Sequence, residues 1–127
     1  MFFWLLISSL ALLSPSFMIV FGIIFLISAP KGINYVFGYR TRRSMKTHET
    51  WKFAHRLLGI LWLALGVLSF SLILAPMVLL FNAPDSTIGT VGALLTLVGL
   101  VVLAIPILPV EIALNKKFDV FGHRIKK

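Results

Sequence analysis

Three long apolar segments, residues 1–29, 57–81 and 87–110, constrain what this chain can fold into. Residues 1–29 contain no charged side chain, and each segment exceeds the roughly 20 residues that a helix needs to cross about 30 Å of hydrocarbon. The chain is 59% hydrophobic and 13% charged, whereas soluble domains are about 45–50% apolar and about 25% charged. We therefore predict one all-α membrane domain, residues 1–127, with three transmembrane helices at about 5–29, 57–81 and 87–110.

The basic residues of the chain all lie on one side of this three-span arrangement. Of the 12 Lys and Arg residues, none precedes residue 31, and none lies in the loop of residues 82–86. Cytoplasmic segments of membrane proteins are enriched in Lys and Arg, so we predict an outside N-terminus, a cytoplasmic loop (30–56) and a cytoplasmic tail (111–127). The first segment also lacks the basic start of a cleaved signal peptide. This topology accounts for the net charge of +8, and no direct nucleic-acid partner is expected.

The loop between the first two spans ends in an amphipathic stretch. Trp51, Ala54 and Leu58 recur at helical spacing, and Glu49 can pair with Lys52 three residues later. Ser44 is a suitable N-cap, because its hydroxyl can accept from an unpaired amide of the first turn. We predict a cytoplasmic amphipathic helix over residues 44–56, either along the membrane surface or running directly into the second span.

The sequence contains no pattern typical of an enzyme or a metal site. It has no cysteine, its four acidic residues are scattered, and a Walker-type glycine loop is absent. His48 and His55 are seven residues apart, about 10 Å along a helix, which is too far for a shared metal ion. We predict no catalytic residue, metal or cofactor. An enzyme that acts on lipid would need a pair of reactive groups that the sequence does not provide.

Several features can be interpreted either as structural or as functional. The basic cluster at residues 40–46 can be an orientation signal attracted to anionic headgroups, while Arg40 could instead bind a phosphate, loop carbonyls or the Glu111 carboxylate. Trp51 can anchor the chain at the interface or pack the amphipathic helix in place. Small residues at helical spacing in spans two and three suit packing within one protomer or the seam of a homo-oligomer.

The loop also contains a specific combination of residues that resembles the signature of the SdpI/YfhL family. The combination consists of Pro30, Asn34, Gly38, Tyr39, Arg40, Thr41 and Ser44, followed by Glu49, Trp51 and Ala54. Residues 114–119 and Gly122 are similar to the segment that ends family members after their last span. The pair Arg42-Arg43 stands where some members have Pro-Trp, which is closer to the short YfhL-like branch.

The resemblance implies a small multi-pass protein of the bacterial cytoplasmic membrane, related to an immunity protein against a secreted toxic peptide. The resemblance implies that Asn34, Gly38, Arg40, Thr41, Ser44, Trp51 and Ala54 carry the family's shared feature, and it implies no catalytic role for any of them. We add Tyr39, His48 and Glu111 as candidate binding residues.

Two functions follow as hypotheses. The first is protection against a membrane-active peptide, with signalling to a cytoplasmic regulator through the basic loop. The alternative is binding or handling of anionic phospholipid headgroups, with Arg40, Arg43, His48 and Trp51 as the site and no immunity role.

Overall fold

The computed structural model describes residues 1–28, 31–33 and 38–125, and these residues form a helical bundle. Its helices are α1 (Phe2–Ile27), α2 (His48–Leu79), α3 (Asp85–Ala104) and α4 (Ile107–Lys117). Among the described residues, three stretches are long and apolar enough to cross a membrane: α1, α2, and α3 together with α4. The predicted count of three spans is therefore confirmed.

The third span is divided because of its prolines. Pro106 separates α3 from α4, and the amide of Val110 bonds to the Pro106 carbonyl as the helix resumes. Proline lacks a backbone N–H and cannot continue the regular pattern of a helix, which explains the break at this position. As a result, α4 brings Glu111 and Leu114 to the end of the bundle that also contains the start of α2. We call this end, residues 38–56 and 107–125, the basic end.

The predicted amphipathic helix of residues 44–56 is not a separate element. Helix α2 is 32 residues long, from His48 through the apolar segment, so residues 48–56 belong to α2 and residues 44–47 precede it. The amphipathic character of this stretch stays a prediction. The prediction of Ser44 as N-cap is wrong. Thr47 caps α2 by accepting from the Thr50 amide at 3.1 Å, and the Thr50 hydroxyl accepts in return from the Thr47 amide at 2.9 Å.

Helix α1 packs against both α2 and α3, and these two helices also contact one another. A Cβ atom on Gly22 would lie 3.0 Å from the Gly59 carbonyl oxygen and 2.8 Å from the Leu63 amide nitrogen, so the α1 and α2 backbones touch at this crossing. Gly66 faces Ile19 of α1, while Gly92 and Gly99 of α3 face Ile7 and Ser14. These small residues pack within one protomer, and the homo-oligomer seam stays a prediction.

Two apolar clusters fill the two ends of the bundle. The cluster away from the basic end contains Ala11, Ile73, Met77 and Ile88, and there the Trp4 indole donates to the Met77 carbonyl at 2.6 Å. The cluster at the basic end is formed by Phe25, Tyr39, Ala54, Leu58, Val110, Leu114 and Phe118. The second cluster brings together α1, α2, α4, the loop and the tail, and thereby positions the candidate site.

Candidate functional site

Tyr39 connects three parts of the basic end. Its side chain is 8% exposed, its phenol donates to Glu111 Oε1 of α4 at 2.6 Å, and its backbone N–H donates to His55 Nε2 of α2 at 2.8 Å. Burial raises the pKa of the Tyr39 phenol, and the neighbouring Glu111 carboxylate raises it further. The phenol is therefore held in its neutral, hydrogen-donating form.

His55 is completely buried beneath Tyr39, and the sequence did not identify it as a site residue. Its Nδ1 atom lies 2.7 Å from the Trp51 carbonyl oxygen, which can only accept. Since Nε2 accepts from the Tyr39 amide, the geometry requires the neutral imidazole with the proton on Nδ1. The ring also packs against Trp51, at 4.3 Å between ring centres, and edge-on against Phe25 at 4.9 Å. Both ring nitrogens form hydrogen bonds with backbone groups, so His55 has a structural role and holds the loop against α2.

A tight turn built by Thr41 and Ser44 holds the loop in front of α2. The Thr41 amide donates to Ser44 Oγ at 2.9 Å, and the Ser44 amide donates to Thr41 Oγ1 at 3.2 Å. The Ser44 hydroxyl lies 3.0 Å from the Tyr39 carbonyl oxygen, and the Ser44 carbonyl accepts from the Thr50 hydroxyl at 2.9 Å. Such local side-chain bonds favour turns over helix, which explains why Ser44 does not start α2. Gly38 precedes the turn with φ of 108°, a conformation suited to glycine.

The tail folds back over the start of α2 and closes the site. The Gly122 carbonyl accepts from the Thr47 hydroxyl at 2.9 Å, and Arg124 Nε donates to Glu49 Oε1 at 2.7 Å. Glu49 therefore pairs with Arg124, and the pairing with Lys52 suggested by the sequence is not observed. Gly122 has φ of 80°, and a Cβ atom there would lie 2.6 Å from Lys46 Cβ, so glycine is required at this close approach.

The Glu111 carboxylate has Arg43 as a cationic neighbour. Arg43 Nε lies 3.8 Å from Glu111 Oε2, and the same guanidinium donates to Asn115 Oδ1 at 2.8 Å. Arg40 is exposed beside a cavity of about 440 Å³ that is otherwise lined largely by aromatic rings and aliphatic side chains. Because α4 supplies both Glu111 and Asn115, Arg43 ties the loop to the last helix.

Most of the predicted site residues come together in this arrangement, which we call the clasp. The clasp contains seven of them, Gly38, Tyr39, Thr41, Ser44, Trp51, Ala54 and Glu111, together with three residues that the sequence analysis did not select, His55, Thr47 and Thr50. Arg40 and His48 lie at its exposed margin, and Asn34 lies outside the described residues. The clasp holds α1, α2 and α4 together, and its polar groups bind one another.

The four residues predicted as a headgroup site lie in different surroundings. Arg40, Arg43 and His48 line three separate cavities, of about 440, 330 and 900 Å³. Trp51 is completely buried, which places it in the packing role and excludes an interface anchor. A single lipid headgroup therefore cannot contact all four side chains.

A further cavity of about 680 Å³ lies between α1 and α3, within the apolar part of the bundle. Its walls include Leu10 and Leu13 from α1 and Ala93, Thr96 and Leu97 from α3. Both helices leave large apolar side chains exposed along this face, so the cavity is a groove open to the hydrocarbon of the membrane. We call it the α1/α3 groove.

Comparison with known proteins agrees with the family resemblance of the loop motif. Residues 31–110 match the model of the SdpI/YfhL protein family. The Bacillus subtilis (strain 168) protein called "Uncharacterized protein YfhL" is 41% identical over 56 residues, which is 44% of this chain and 51% of that relative. The chain thus spans about half the length of the curated relative that it matches. No solved structure matches the chain.

Proposed function

Since this chain belongs to the SdpI/YfhL protein family, we propose that it protects a bacterial cell against a membrane-active toxic peptide. The observation behind this proposal is the family match over residues 31–110, which includes the loop motif from Asn34 to Ala54 together with α2 and α3. The protein would lie in the cytoplasmic membrane with its N-terminus outside and the basic end in the cytoplasm.

We propose that the role of the clasp is structural and not catalytic. Its imidazole bonds to two backbone groups and its phenol donates to Glu111, so neither group is poised to attack a substrate or to accept a proton from one. We propose that the clasp fixes the relative positions of α1, α2 and α4, and that recognition takes place elsewhere in the bundle.

We propose the α1/α3 groove as the place where the peptide binds. A toxic peptide that acts on membranes reaches this groove through the hydrocarbon, and its apolar side chains would match walls formed by residues such as Leu10 and Leu97. Gly89 and Ala93 leave room along one wall, and small residues allow a second helix to approach closely in lipid.

The test is the survival of a peptide-sensitive bacterial strain that expresses the protein. The wild type should raise survival, whereas Ala93→Phe, which places a ring in the groove, should remove most of the protection. Leu94→Phe is the matched control, because Leu94 is 58% exposed and is not a wall of the groove. Equal survival with the wild type and with no protein at all would refute protection. If both variants protect as well as the wild type, the groove assignment fails.

We also propose a contact between the basic end and an acidic cytoplasmic regulator. Arg42 and Lys46 are exposed beside a cavity of about 330 Å³, where they could meet acidic side chains of a partner. A regulator can reach this surface only from the cytoplasm. Labelling of a Lys116→Cys variant by a membrane-impermeant thiol reagent in intact cells would contradict this proposal.

The alternative function, handling of anionic lipid without protection, gives a different outcome in the survival assay. It predicts no effect of the protein on killing by the peptide.

A further inference from the structure

A second surface of the basic end has a regular arrangement of its own. His48, Lys52, Arg56 and Ile60 follow one another at intervals of four residues, so they form one stripe along α2, and all four are exposed. The stripe faces the last turn of α1 across a cavity of about 900 Å³, whose other lining residues are Phe25, Leu26, Ile27, Ser28 and Lys31. We call this surface the α1/α2 groove.

Within the described part of the chain, no ion pair joins Lys31, Lys52 or Arg56 to a carboxylate. The chain has only four carboxylate side chains, and three of them are engaged at the basic end. Glu49 pairs with Arg124, Glu111 binds Tyr39 and Arg43, and Asp119 accepts from the amides of Phe121 and His123. The fourth, Asp85, is in the first turn of α3 at the opposite end of the bundle. Positive charge therefore accumulates at Lys31, Lys52 and Arg56.

The groove changes from charged to apolar along the axis of α2. From Lys52 to Ile60 the helix rises about 12 Å, roughly the distance from a headgroup to the upper part of an acyl chain. Leu26 and Ile60, which are 40% and 47% exposed, lie at the apolar end of the groove. A phospholipid matches this arrangement, because its anionic headgroup would meet the charged end of the groove and its acyl chain would meet the apolar end.

We infer that the α1/α2 groove binds one anionic phospholipid, with its phosphate held by Lys52 and Arg56 beside Lys31 and one acyl chain along Leu26 and Ile60. This site shares only His48 with the set of residues suggested by the sequence. It is separate from the clasp and from the α1/α3 groove, and it does not depend on the proposed protection. Basic groups near a membrane attract anionic lipid diffusely, but a groove with an apolar wall can hold a single lipid in place.

The test is a lipid titration followed by native mass spectrometry of the intact protein in a neutral detergent. We expect the wild type to retain phosphatidylglycerol in preference to phosphatidylcholine. The double variant Lys52→Gln, Arg56→Gln should bind phosphatidylglycerol about tenfold more weakly, because two cationic contacts are lost. Both side chains are exposed, so the variant should fold, and an unchanged elution profile in gel filtration would verify this.

The matched control is Arg42→Gln, Lys116→Gln, which removes the same charge from exposed positions of the basic end outside this groove. We expect it to change phosphatidylglycerol binding by less than about twofold. A large excess of inorganic phosphate should leave the lipid bound, because free phosphate makes no contact with Leu26 and Ile60. Three results would overturn the inference: no preference for the anionic lipid, equal weakening in both double variants, or displacement by phosphate.

Discussion

Tyr39 links the loop to α2 through its backbone and to α4 through its phenol, so one residue contacts three parts of the clasp. The residue beneath it, His55, contributes through two backbone bonds and through packing against Trp51. Loss of either backbone hydrogen bond of His55 would leave a buried polar group without a partner, which costs about 1–3 kcal/mol. At the scale of single residues, the clasp is a set of mutually satisfied polar groups.

The Tyr39 phenol gives a prediction about pH. Its pKa in the folded protein lies above the value of about 10 for an unfolded chain. Below that value the phenol is protonated in both states, and its bond to Glu111 contributes fully. As pH rises above about 10, only the unfolded state loses the proton, so this contribution to stability declines. We expect Tyr39→Phe to lower the free energy of unfolding by about 1–2 kcal/mol at neutral pH and by less above about pH 10.

The measurement is thermal unfolding of the wild type and Tyr39→Phe in detergent, from neutral pH to about pH 11. Comparison of the two proteins at each pH removes the shared titration of the lysines. A difference in melting temperature that stays constant over this range would show that the phenol does not retain its proton in the folded state.

At the scale of elements, α2 depends on a cap that also fastens the tail. Thr47 closes a capping box with Thr50, and its hydroxyl donates to the Gly122 carbonyl. The same residue, Thr47, therefore caps the longest helix and holds the tail over the clasp. The tail has a second connection in the exposed pair Arg124 and Glu49, but such surface pairs contribute only about 0–1 kcal/mol.

We therefore expect Thr47→Ala to lower the free energy of unfolding by about 1–2 kcal/mol. The control is Thr90→Ala, because the exposed Thr90 hydroxyl donates only to the Ser86 carbonyl within α3. That change should stay within about 0.5 kcal/mol. Chemical or thermal unfolding of both variants in detergent is the measurement. Equal effects would mean that the Thr47 cap and its bond to the tail add nothing.

At the scale of the whole molecule, the spans and the loop motif could be predicted from the sequence, whereas the long-range contacts could not. The three spans were predictable, because the length and apolar character of a segment suffice to indicate a crossing. The loop motif also selected most of the clasp residues before their contacts were known. The partners of those residues were not predictable, since Tyr39 and Glu111 are 72 positions apart and Thr47 and Gly122 are 75 apart. No local pattern encodes such pairs.

The start of α2 shows a second limit of sequence reasoning. Ser44 and Thr47 are both suitable caps by residue type. The choice is decided by tertiary structure, because the Ser44 hydroxyl bonds to the Tyr39 carbonyl and the Thr47 hydroxyl reaches the tail. His55 has a similar explanation. It lies four residues after Trp51 on the same helix face, but only the folded loop shows that its Nε2 accepts from Tyr39.

We propose that the clasp and the α1/α2 groove of this three-span protein both lie on the cytoplasmic side of the membrane. Because the chain has no cysteine, single substitutions report topology directly. Ser86→Cys, in the first turn of α3, should react with a membrane-impermeant thiol reagent in intact cells, whereas Lys116→Cys, in the last turn of α4, should react only after permeabilisation. The opposite pattern, or labelling of both positions from outside, would contradict the account.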